Sequence, residues 1–335
     1  MKNKRNKKGF RSLVLLLFLT IIMFGTSTYA WFTANRVVTI NSLDVHVEAS
    51  NGIQISTDAS SWKSVITNAD IKTGYTGNAN QVPATITAVS TDGRPTSAGR
   101  LNMYSSIVGN DAVTGDYNIK TILETDTAGE EGKYIAFDIF VRVDQTQTIY
   151  FTPDTDVTKI GVEDRGLKNA ARVAFVNLGR ASSSTASSDI IALNAGTSAN
   201  VIIWEPNSDT HTPTVVTSVA PDMGITLTET SAGSGLYAPV AYRGISAEIS
   251  TPEDLRGIVN GTITQRSGTA FTTAVTPTIR TNAGRTGYTE FMELQTGVTK
   301  FRVYMWLEGQ DVDCENGATG SDISFNIQLS TTNEG

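Results

Sequence analysis

The densest group of side chains able to do chemistry lies near the C-terminus, where Asp311, Asp313, Glu315 and Asp322 place four carboxylates within one loop. Carboxylates at alternating positions offer hard oxygen ligands, which suits calcium. The spacing begins like an EF-hand loop and then departs from it. Asn316 stands where the sharp-turn glycine belongs, Gly317 comes one position late, and the flanks read as strands. A structural calcium ion at these four residues is the one cofactor the sequence offers. The preferred reading is plainer, an acidic and solvated hairpin loop.

Other chemistry is thin. His46 and His211 are the two histidines, and they form no pair at the helical spacing a zinc hydrolase uses. His46 sits among valines in an alternating segment and reads as an exposed strand residue. The chain has no G-x-S-x-G elbow and no glycine-rich phosphate loop. Ser60 and Lys63 match S-x-x-K, without the S-D-N and K-T-G companions of penicillin-binding folds. The sequon at Asn260, Gly261 and Thr262 also reads as a plain Asn-Gly turn. No catalytic residue follows from these patterns, and the expectation is a protein that is not an enzyme.

The N-terminus carries a stronger signal. Six basic residues within the first eleven precede an apolar run over residues 13–24 broken only by Thr20. Signal h-regions span about 7 to 15 residues, whereas a membrane-crossing helix needs roughly 20. Thr28 and Ala30 supply small side chains at the positions a signal peptidase accepts, so cleavage is expected between Ala30 and Trp31. Residues 1–30 then form a secretory signal peptide, and residues 31–335 an extracellular domain. Contact with a membrane comes only through the uncleaved peptide. Losing it removes six of 26 Lys and Arg and none of the 33 Asp and Glu, for a net charge of −13. Such an acidic chain repels phosphate backbones, so nucleic acid is excluded as a partner. Cys314 stands alone, so stability has to come from a packed core. Residues 321–335 carry no sorting motif, which argues against covalent wall attachment at that end.

The elements that must position these residues are strands. Residues 37–48 alternate through Val38, Ile40, Leu43, Val45 and Val47, with a break near Asn41 and a turn at residues 50–52. Residues 134–143, 172–178, 298–307 and 323–329 alternate strongly, and the third of these has two apolar faces and should be buried on both. Residues 149–151 and 201–204 are shorter candidates. Residues 207–287 shift to Thr, Ser, Gly and Pro and read as an inserted region, with a short helix starting at Thr251. Residues 181–188 read as an exposed loop. Many short strands and few helices predict an all-β antiparallel sandwich of jelly-roll type.

At the leader junction, residues 25–33 resemble the cleavage region of the TasA and camelysin family of secreted Gram-positive surface proteins. Both show a glycine, a threonine and an aromatic before the alanine, and an aromatic-rich mature start. Residues 38–48 are similar to that family's first strand. The resemblance implies a dedicated signal peptidase and an extracellular jelly-roll subunit able to polymerise into biofilm matrix fibres. The metalloprotease activity described for some relatives is not implied here, since the histidines are missing. Self-association, or binding to other surface and matrix proteins, is the expected partnership, with Val38, Ile40, Leu43, Val45 and Val47 as the assembly strand. The alternative is an adhesin or carbohydrate-binding module, for which Trp204, Tyr237, Tyr242 and Tyr288 could stack on sugars.

Overall fold

The computed structural model describes residues 44–49, 52–110, 117–160, 165–222, 226–238, 255–257, 277–281, 287–309, 311–314 and 322–333. Ala30, Trp31, Val38, Ile40, Leu43 and Glu315 lie outside them.

The alternating β-branched and aromatic stretches are strands, and the chain is mostly β. In order they are β1 (Asp44–Ala49), β2 (Gln54–Ser56), β3 (Val65–Ile66), β4 (Ala88–Pro95), β5 (Leu101–Asn110) and β6 (Tyr117–Glu124). Then come β7 (Ile135–Val143), β8 (Gln147–Phe151), β9 (Asp156–Ile160), β10 (Ala171–Ala181), β11 (Asn200–Glu205) and β12 (Thr228–Glu229). The last six are β13 (Tyr237–Ala238), β14 (Leu255–Gly257), β15 (Thr278–Thr281), β16 (Thr289–Leu294), β17 (Gly297–Glu308) and β18 (Asp322–Ser330). Helices are few and short.

Two sheets pack face to face in a sandwich. The larger runs β2-β7-β17-β10-β11-β15, and at the C-terminal end of β17 the strand β4 takes over from β7 and carries β5, β6 and β14. The smaller runs β16-β8-β18-β1-β3, with β9 on the same edge of β18 as β8. Most pairs are antiparallel, as expected. Three are parallel, β1 with β18, β11 with β15 and β4 with β17, so the sheets are mixed.

Between the sheets the alternation is read out side by side. Ile135, Phe137, Ile139, Val141 and Val143 of β7 meet Val173 and Phe175 of β10, Phe301, Val303, Met305 and Leu307 of β17, and Ile323, Phe325, Ile327 and Leu329 of β18. An aromatic knot holds the centre. Phe291 lies 4.8 Å from Phe175 and 5.0 Å from Phe151 between ring centroids, and Phe151 lies 5.2 Å from Trp204. Tilted and edge-on pairs of this kind add about 0.5–1.5 kcal/mol each beyond their area burial.

The opposite face of the larger sheet is buried too. Ala174, Val176, Val201, Ile203, Tyr304 and Trp306 pack beneath Val89, Leu101 and Met103 of β4 and β5. This makes β17 apolar on both faces, as its composition requires. Polar side chains on that face are paired. Arg302 reaches Asp138 at 3.0 Å and Asp126 at 2.8 Å, while the hydroxyls of Tyr75 and Tyr134 donate to Asp138 and Asp126. Within the region expected to be an insertion, β14 pairs with β6 and β15 with β11, while β12 and β13 pair with each other in a separate two-stranded hairpin. Leu255 is a strand residue, which corrects the helix expected to run from Thr251 through it. Pairing with Lys120 of β6 overrides the local capping signal.

Candidate functional site at the end of the central strands

Three neighbouring strands end in charge. Arg172 is the second residue of β10, Glu205 closes β11 and Glu308 closes β17; the antiparallel registers set Arg172 opposite Trp306 and Val173 opposite Trp204, which brings Glu205 beside Arg172. All three lie on the sheet face away from the main core, with the parity of Ala174, Ile203 and Trp306. Each is 0 % exposed. Burying a charge is costly unless it is paired and hydrogen-bonded, so the cluster has to be internally compensated.

Arg172 does this with its planar fork. Its Nη1 donates to the carbonyls of Asn169 and Ala171, each at 2.9 Å. Nη2 donates to Asp311 Oδ2, and Nε lies 3.3 Å from Glu205 Oε1. Burial opposes the guanidinium charge, but Glu205, Asp311 and Glu308 hold its pKa above the ordinary value. Glu308 accepts from Trp306 Nε1 at 3.1 Å and from the Ser90 hydroxyl.

The turn after β17 continues the network. Asp311 Oδ1 accepts the backbone N–H of Asp313 at 2.9 Å, and Asp313 Oδ2 lies 2.6 Å from His211 Nδ1, with both of those side chains fully enclosed. Asn169 Nδ2 donates to Asp313 Oδ1 at 3.3 Å. Burial, with the neighbouring Asp311 charge, raises the Asp313 pKa. For His211, burial works against the charged ring, but the hydrogen bond and charge of Asp313 outweigh it and the pKa is raised. Gly166 helps close the site. It sits at φ +85, and a side chain there would begin 2.6 Å from Thr212 Cγ2.

The sequence expectations fall differently on this geometry. Asp311 and Asp313 are 3 % and 1 % exposed, so neither is a solvated loop acid. Their carboxylates face an internal arginine and histidine. Asp322 starts β18, opposite Ile160 of β9. Among the described residues no three His, Cys, Asp or Glu side chains gather as a metal site. Lys63 turns to Asp70, and Asp58 accepts the N–H groups of Ser60 and Ser61, so Ser60 and Lys63 do not act as a pair. Trp204 is 1 % exposed in the aromatic knot, which removes it from any sugar-stacking platform. Arg172, Glu205, Glu308, Asn169 and His211 were not singled out by motif. The available signal was a charge at the end of each of three apolar strands.

No family model, curated protein or solved structure matches the chain.

Proposed function

We propose that the chain is an exported structural subunit of a surface fibre or matrix, a jelly-roll type sandwich that assembles through the residues preceding β1. The guarded edges of the smaller sheet support this reading, while the position of β1 corrects which residues can do the pairing. Val45 and Val47 are buried between the sheets, paired in parallel with β18 of the same chain, so these two residues of the expected assembly strand pack in cis. The reading therefore places donation to a neighbour on residues 31–43, including Val38, Ile40 and Leu43, anchored covalently to a strand locked in the core.

The two ends of the smaller sheet fit a subunit that limits uncontrolled pairing. At one end of the smaller sheet β3 has two residues, followed at once by the helix Asn68–Thr73. At the other, β16 carries a bulge between Glu290 and Met292 and exposes Glu290 and Glu293. Short, bulged and charged edges discourage edge-to-edge aggregation, which leaves assembly to a dedicated segment.

The test is truncation. Deleting residues 31–41 spares β1 and should give a folded, soluble monomer, while the mature chain forms fibres visible by electron microscopy. A truncated protein that polymerises like the mature one would refute the role given to this segment. The absence of any assembly by the mature chain would refute the fibre reading.

A further inference from the structure

We propose that residues 207–222 form a proton-held latch against the end of the sandwich, closed at acidic to neutral pH and released as the medium turns alkaline. The latch has a polar and an apolar part that meet at one turn. Val312 packs with Val215 and Ala220, with Val219 and Leu227 beside them, and the next residue, Asp313, holds His211. Asn207 pins the start of the segment by donating to the carbonyls of Val157 at 3.1 Å and Lys168 at 3.3 Å. The far side is tied down where the Tyr237 N–H donates to the Asp209 carbonyl at 2.7 Å, with the Tyr237 ring 5.8 Å from His211.

The charged groups facing the imidazole decide the sign. Asp313 touches it, while Asp311 and Arg172 act on it from the turn and from β10. Behind Arg172 stand Glu205 of β11 and Glu308 of β17. Four carboxylates thus surround one guanidinium and one imidazole, and the excess of negative charge favours keeping a proton in the closed state. Among the described residues His211 Nε2 has no hydrogen-bond partner, so the contact with Asp313 at Nδ1 is the one that bears on the proton. Burial and the Asp311 charge raise Asp313, and the Asp313 contact raises His211 against the effect of burial. Both shifts mean that the closed latch binds protons the open one would release. Docking is therefore strongest below the ordinary aspartate value of 3.8, weakens as pH rises through the raised Asp313 value of about 7, and loses the histidine contribution, full below 6.5, as pH rises through the raised His211 value. Opening would free the stretch that leads into the β12–β13 hairpin.

Native-state amide exchange of the full mature chain, corrected for intrinsic rates, tests this between pH 6 and 9. The opening constant for amides in residues 209–222 should rise about tenfold per pH unit for each proton lost on opening. Amides of β17 should stay protected. His211→Gln with Asp313→Asn keeps a donor and an acceptor at the contact but leaves neither group able to titrate, so the pH dependence should flatten. A wild-type opening constant that stays within twofold across that range would overturn the proposal, as would a full slope in the His211→Gln, Asp313→Asn variant. Should that variant fail to fold, NMR titration of the His211 ring in the wild type decides, and a pKa at or below 6.5 refutes the latch.

Discussion

Replacing Arg172 by methionine removes the cation at the hub of the buried cluster while keeping much of its length. Arg172 and its partners Glu205 and Asp311 have no side-chain exposure, so solvent screening cannot soften the loss. Deleting one partner of a fully buried pair costs about 3–5 kcal/mol, because the partner is left charged and unpaired. Set against a whole-domain stability of about 5–15 kcal/mol, that is a large fraction. Denaturant unfolding at pH 7 should show the deficit as a lowered midpoint. The cause can be isolated in two ways. Acidification protonates the orphaned carboxylates, so the gap between variant and wild type should narrow as pH falls. Adding Glu205→Gln and Asp311→Asn to Arg172→Met should recover part of the loss, since the two carboxylates that Arg172 paired then need no counter-charge. A variant within about 1 kcal/mol of wild type at pH 7, or a deficit indifferent to pH, would refute the hub role.

Phe175→Ala empties the centre of the aromatic knot and should cost about 3–5 kcal/mol in urea unfolding; a loss below about 1 kcal/mol would show that the sheets collapse over the gap. Melting curves in chelator and in excess calcium are expected to coincide, because Asp311 and Asp313 already hold Arg172 and His211. A calcium-dependent rise would assign the ion to Asp311, Asp313, Glu315 and Asp322. The exported protein should have the intact mass of a chain starting at Trp31, and a species retaining residues 13–24 would show that the apolar run is not removed.

How much of this was legible depended on whether the signal was local. Strands β7, β10, β17 and β18 could be read because alternation is a property of consecutive residues, and burial of β17 on both faces followed from its doubly apolar composition. Strict alternation also settles one detail, since Leu307 joins Phe301, Val303 and Met305 while Val298 turns to Phe140 and Ile190. Strands β4 to β6 escaped. The apolar alternation of β5 and β6 is interrupted by Ser105 and Thr121, and β4 is polar beyond Val89 and becomes a strand by pairing with Leu307 and Glu308 more than 200 residues away. The parallel match of β1 to β18 was equally invisible, because register between distant segments leaves no mark on either one.

The acidic loop shows why the site was harder than the fold. Read alone, Asp311 and Asp313 look like ligands or solvated acids, since carboxylates near a glycine are typical of exposed turns. Their fate is fixed by residues on other strands. Arg172 reads as the last polar residue before an apolar run, Glu205 as the polar end of another, and neither hints at the other until the register places them side by side. The turn after β17 then has to cover a buried guanidinium, and carboxylates are the side chains that can do so without leaving it unpaired. An ionisable residue within the apolar parity of a strand therefore predicts a buried counter-charge somewhere in the chain. The fold must supply it, and here Asp311 supplies it to Arg172 just as Asp313 does to His211.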